Sequence, residues 1–151
     1  MFEVKGGCHC GNVRITVQLP RAAEAYRPRA CDCDFCLKHG AAYVSDPAGT
    51  LRIEIRDAQQ IARYRQGSGT AECLLCGSCG VLVAVTYQTD GRAFATVNYR
   101  AVEGARFGEP VPVSPKQLVV LDKIGRWKEL WFSSVAVEAA PGAPPNDVAL
   151  E

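Results

Sequence analysis

With 151 residues, 48% of them hydrophobic and 22% charged, the chain has the make-up of one folded domain with a single core, not of a disordered protein. Its formal net charge of +1 gives no electrostatic reason to expect nucleic acid or an anionic membrane as partner. The longest apolar runs, Val81-Leu82-Val83-Ala84-Val85 and Leu118-Val119-Val120-Leu121, are strand-length, against about 20 residues needed to cross a bilayer. The first seven residues, Met1-Phe2-Glu3-Val4-Lys5-Gly6-Gly7, have no basic stretch followed by an apolar one, so no secretory signal is expected and a cytoplasmic location is.

In chain order the pattern is mostly β. Val13, Ile15, Val17 and Leu19 alternate with polar residues, the period of a half-buried strand. Residues 34–39 are expected to form a single helical turn. Leu51, Ile53 and Ile55 repeat the strand alternation, while residues 58–65 fit helix or strand equally. Residues 81–86 and 94–99 read as two more strands, joined at Thr89-Asp90-Gly91, where Asp-Gly favours a tight hairpin. Ile124, Trp127, Leu130 and Trp131 have the three-and-four spacing of a short amphipathic helix over 123–132, with both tryptophans packing in a core. A domain over residues 1–138 followed by a loose Pro- and Gly-rich tail over 139–151 is the expected organisation, as a β-sandwich or open barrel with short helices.

The eight cysteines carry the functional signal. In a reducing compartment such a count points to metal or redox chemistry and not to disulfides. Three clusters hold seven of them: Cys8-His9-Cys10, Cys31-Asp32-Cys33-Asp34-Phe35-Cys36 and Cys76-Gly77-Ser78-Cys79. A thiolate pair two or three positions apart can reach one ion from a tight turn, and sulfur-ligated zinc is tetrahedral, so two pairs close one site. Gly7, Gly11, Gly77 and Gly80 flank the outer clusters, where the backbone has to turn beneath a metal.

Cys8 and Cys10 with Cys76 and Cys79 make one complete four-sulfur set. Cys31, Cys33 and Cys36 are then left as three ligands with an open position, which is how catalytic zinc is held. On spacing alone the middle cluster could instead pair with Cys76 and Cys79. Cys73 reads as a buried free thiol, with ligation at the middle site or a redox pair with Cys76 as its other roles. His9 reads as a surface residue, and His39, three positions past Cys36, as an alternative ligand.

The three clusters, in this order, resemble the glutathione-dependent formaldehyde-activating enzyme family, which includes the centromere protein V relatives. The resemblance rests on Gly7-Cys8-His9-Cys10-Gly11-Asn12-Val13, on the run from Cys31 through Cys36-Leu37-Lys38-His39-Gly40-Ala41, and on Cys76-Gly77-Ser78-Cys79-Gly80. It implies an Mss4-like, zinc-containing, mostly β fold. It further implies two zinc ions per chain: a structural one on Cys8, Cys10, Cys76 and Cys79, and a catalytic one on Cys31, Cys33 and Cys36. The implied activity is that of a carbon–sulfur lyase working in reverse, in which glutathione adds to formaldehyde to give S-hydroxymethylglutathione. The implied partner is thus a small thiol, and a homo-oligomer remains open.

Leu37 stands where many members carry a basic residue. Glutathione's carboxylates call for Arg or Lys, and Lys38, Arg63, Arg65 and Arg100 are candidates by charge alone. The competing reading is a non-catalytic zinc module that carries a thiol ligand or binds a protein partner.

Overall fold

The structure, a computed structural model, describes residues 1–140. Alternation builds its first sheet, in the order β10 (Val102–Glu103), β1 (Phe2–Gly7), β2 (Val13–Leu19), β5 (Thr50–Ile55) and β12 (Ser134–Ala139). Val13, Ile15, Val17 and Leu19 turn to one face of β2, each no more than 1% exposed, and Leu51, Ile53 and Ile55 do the same in β5.

The second sheet runs β11 (Val111–Val113), β3 (Arg29–Cys31), β4 (Tyr43–Val44), β9 (Arg92–Asn98), β8 (Leu82–Thr89), β7 (Glu72–Cys76) and β6 (Ile61–Tyr64). All strand pairs are antiparallel except β12 with β5 and β11 with β3. The β8–β9 turn is Asp90-Gly91 with φ of 48° and 71°, the primed hairpin turn that matches strand twist.

The two sheets face each other across one core. Ile15, Leu51 and Ile53 from the first meet Val44, Leu74, Val83 and Val97 from the second, and Phe132, fully buried, joins them. Its backbone bridges to Ala95 of β9 through paired hydrogen bonds of 2.9 and 3.1 Å. The mostly β sandwich with short helices is therefore as expected.

The second sheet also buries its outer face. Tyr43, Cys73, Leu82, Val85 and Phe94 pack there against Cys36, Trp127 and Trp131, the last two with ring centroids 5.1 Å apart. Two helices cover this face: α1 (Asp34–His39), over the expected residues, and α2 (Val120–Leu130). The helix α2 starts earlier than the sequence suggests. The strand-length run Leu118-Val119-Val120-Leu121 forms no strand but leads into the first helical turn, with Leu121 79% exposed. Residues 58–65 divide between a 3₁₀ turn, Ala58–Gln60, and β6.

The chain's end differs from expectation as well. Ala139 pairs with Ile55, and the Ala140 N–H donates to the Ile55 carbonyl (2.9 Å), so the strand continues into the residues read as tail. Residues 141–151 lie outside the described residues.

Replacing Phe132 by Ala removes the ring that both sheets close around. We expect a loss of about 3–5 kcal/mol in urea unfolding.

Candidate metal centres and the cavity

Two groups of sulfurs converge, and each is built from turns at strand ends. Cys8 and Cys10 lie in the β1–β2 turn, Cys76 at the end of β7 and Cys79 in the turn to β8. Gly11 and Gly80, each directly after the second cysteine of its pair, have φ of 84° and 82°. That left-handed conformation, which a side chain disfavours, folds each turn back beneath its sulfurs. The four Sγ atoms all lie within 4.8 Å of one another, with Cys8–Cys10 at 3.7 Å and Cys10–Cys76 at 3.5 Å. A tetrahedral ion holding sulfur at about 2.3 Å, as zinc does, sets the sulfurs about 3.8 Å apart, so the spacing fits. Backbone amides support the cluster: Val13 N–H donates to Cys8 Sγ at 3.2 Å and Cys79 N–H to Cys76 Sγ at 3.5 Å.

The second group is Cys31, Cys33 and Cys36, also mutually within 4.8 Å. Cys31 ends β3, Cys33 caps α1 and Cys36 lies in that helix's first turn, its N–H donating to Cys33 Sγ at 3.4 Å. Among the described residues no fourth Cys, His, Asp or Glu joins them. Both groups are thus those expected, and the alternative pairing of the middle cluster with Cys76 and Cys79 is not formed.

Burial and mutual contact split the thiols of both groups. Burial pushes the Cys76 thiol up to about 12. Burial works the same way on Cys79, yet the backbone N–H groups of Cys10 and Val81 bring its thiol down to about 6. In the other group Cys31 is held at about 6 through its contact with Cys36, whose own thiol the same contact and burial push far up. Thiols this close cannot all ionise without a positive ion between them. The donor set suits a thiophilic metal.

Period two decides where Cys73 goes. It lies three residues from Cys76 on β7, and positions an odd number apart in a strand face opposite ways. Cys76 accordingly packs in the core between the sheets and Cys73 on the outer face, where it is 5% exposed. A Cys73–Cys76 redox pair is excluded by that geometry. Burial and the neighbouring Cys33 and Cys31 push its thiol up to about 12, so it is the buried free thiol that was expected. His9 and His39 are both exposed and join neither group; His39 packs instead on Phe35 at 4.6 Å.

The two groups differ in what they face. A cavity of about 280 Å³ opens against Cys31, Cys33 and Cys36 and touches none of the other four. Its floor is the outer face of the second sheet: Arg29, Tyr43, Cys73, Val85 and Thr96. One wall is α2, through Lys123, Arg126, Trp127 and the following Trp131; another is the 65–71 loop, through Gln66, Gly67, Ser68 and Ala71. The Tyr43 hydroxyl sits 3.1 Å from Cys36 Sγ and donates to that sulfur when it is ionised.

The sequence missed the cavity's cations. Arg63 and Arg65 are tied to Glu72, at 2.8 and 3.2 Å, and Arg100 donates to the Gly40 carbonyl; with Lys38 they stay outside the cavity. The lining cations are Arg29, Lys116, Lys123 and Arg126. Arg29 donates to the Ser45 and Thr96 hydroxyls at 2.6 and 3.3 Å, and burial, helped by the Arg126 charge, lowers it to about 10. The signal available was local: Arg29 precedes Cys31 by two residues, and so shares its strand face.

A two-sheet β protein with one closed four-cysteine group and one three-cysteine group open to a cavity has two sites able to hold a metal ion, of which one meets the cavity. The sequence model of the glutathione-dependent formaldehyde-activating enzyme matches residues 3–116, and the chain belongs to that family. It is also similar to a Rhodobacter sphaeroides protein of known crystal structure, at 31% identity and a TM-score of 0.56, over 72% of this chain and 99% of that one. None of the helices is long and apolar enough to cross a membrane among the described residues.

Metal analysis of Cys79→Ser and Cys33→Ser should separate the two groups. Binding of structural zinc amounts to about 10–16 kcal/mol in small domains, so Cys79→Ser is expected to lose the cooperative fold, while Cys33→Ser keeps one ion and most of the stability. Equal folding losses in both variants would overturn the division.

Proposed function

We propose that the protein is a zinc-dependent enzyme of the carbon–sulfur lyase type that joins glutathione, or a related thiol, to formaldehyde and cleaves the same adduct in reverse. In this reading Cys8, Cys10, Cys76 and Cys79 hold a structural zinc, and Cys31, Cys33 and Cys36 hold the catalytic one. The observation that carries it is the contrast between the groups: only the three-sulfur group, with no fourth protein ligand among the described residues, lines a cavity.

A free thiol is a weak nucleophile at neutral pH because little of it is thiolate. Zinc on the three cysteines would supply a ligand position that favours the thiolate form of a substrate thiol. The sulfur lone pair then forms the carbon–sulfur bond, the carbonyl π pair moves to oxygen, and the proton lost by the thiol ends on that oxygen.

The chain's own groups prepare the site for this. Three thiolates outweigh a divalent ion, and the cationic wall of Arg29, Lys123 and Arg126 offsets the excess negative charge. Tyr43, 7% exposed, orients Cys36 and withdraws charge from its sulfur. Trp127 and Trp131 supply an apolar wall that limits water at the reacting carbon.

The test uses protein carrying two zinc ions per chain. We expect saturable glutathione binding and faster formation of the S-hydroxymethyl adduct, followed by NMR exchange, with both lost in Cys33→Ser. Neither binding nor acceleration by the zinc-loaded protein would sink the proposal. Tyr43→Phe should lower turnover or metal affinity at the three-cysteine site by about 10–100-fold while the four-cysteine ion stays bound, as metal analysis and activity together would read.

A further inference from the structure

Apart from the three cysteine sulfurs, the charged groups of the cavity are of one sign. Four cations line it and no carboxylate does. Lys116 has a distant partner in Asp32 at 3.9 Å, but Arg29, Lys123 and Arg126 have no carboxylate within ion-pair distance among the described residues. Outside the cavity, Arg14 pairs with Glu103, Arg52 with Glu54 and Glu138, and Arg63 and Arg65 with Glu72, while the other arginines stand without a carboxylate among the described residues.

Arg29 is held where it stands. Arg29 uses one amino group on Ser45 and Thr96, hydroxyls that are themselves buried at 6% and 2% exposure, and its remaining N–H groups have no protein acceptor among the described residues. Arg126, half-buried, has no hydrogen-bond acceptor among them, and its charged neighbour is the Cys31 sulfur. Arg126 lies on the same side of α2 as Lys123 and Trp127, at three- and four-residue spacing. Arg29 lies on the same face of β3 as Cys31. Two guanidinium groups turned into one cavity repel each other, and their N–H groups without a protein acceptor are available to an anion that enters it.

We propose that Arg29 and Arg126 form a subsite for a carboxylate of the substrate, which fixes the molecule while its reacting end meets the three-cysteine site. The proposal rests on the function above for the place of the reacting end, and on the cavity alone for the charge. A guanidinium pair suits a carboxylate because each presents parallel N–H donors to its two oxygens. Arg126 lies beyond residues 3–116, so this half of the subsite is outside the segment that matches the family.

Both tryptophans of the chain line the cavity, so intrinsic fluorescence reports on it directly. Zinc-loaded protein is titrated with 3-mercaptopropionate, its methyl ester, propionate and glyoxylate. We expect 3-mercaptopropionate to bind at least tenfold more tightly than the ester, most of that gap to vanish in Arg126→Gln, and part of it to return in Arg126→Lys. Arg29→Gln should act the same way; if it does not fold, Arg126→Gln decides. Arginine-dependent binding of 3-mercaptopropionate but not glyoxylate places the carboxylate on the thiol, and the converse places it on the aldehyde; either supports the subsite.

Acid and ester binding equally well, an undiminished gap in folded Arg126→Gln, or no binding of any carboxylate probe overturns the subsite. If 3-mercaptopropionate binds no better than propionate, yet both need Arg126, the subsite stands and thiol capture at the zinc falls.

Discussion

Four sulfurs from two sheets have to meet at one point, and the rest of the architecture depends on it. Cys8 and Cys10 belong to the first sheet's opening turn, Cys76 and Cys79 to the β7–β8 turn of the second. Their convergence joins a turn of one sheet to a turn of the other at the margin of the core, to which Cys8 and Cys76 belong. The fully buried residues between the sheets then need only fill the space that the junction defines. Asn12 reinforces it: 3% exposed, it accepts from the Asp57 N–H at 2.8 Å and donates to the Asp57 and Gln60 carbonyls, binding the first turn to the connection after β5.

From that junction the strand period sorts the chemistry. On β7, Leu74 and Cys76 serve the core, whereas Cys73 and Leu75 serve the outer face; on β4, Val44 points in and Tyr43 out. The second sheet thus faces the core on one side and the cavity on the other. A one-residue slip in any of these strands would exchange the two sets, which ties the site to the same register that secures the fold.

How much of this was legible in the sequence depended on how local the signal was. The strands β2 and β5 show clean alternation because one face meets solvent and the other the core. The cysteine groups were legible because ligand spacing reflects tight turns. The cavity was not, since it draws single residues from short elements far apart in sequence. Arg29 sits on a three-residue strand, and Tyr43 on one of two residues, too short for any period. Arg63 and Arg65 carried the right charge, but Glu72 on the neighbouring strand claims both. Composition misled at Ala139, where Ala and Pro suggested a tail and the parallel pairing with β5 overrode it.

One wall of the cavity is the 65–71 loop between β6 and β7, which turns through Gly67 and Gly69 at φ of 60° and 71°. It supplies no sulfur to either group and no residue to the core between the sheets. Gln66 alone reaches a cysteine group, 3.8 Å from Cys33 Sγ, so exchanges elsewhere in the loop reshape the entrance while the sandwich stays intact. The fold therefore carries a segment whose exchange alters what the cavity admits more than how the sandwich packs.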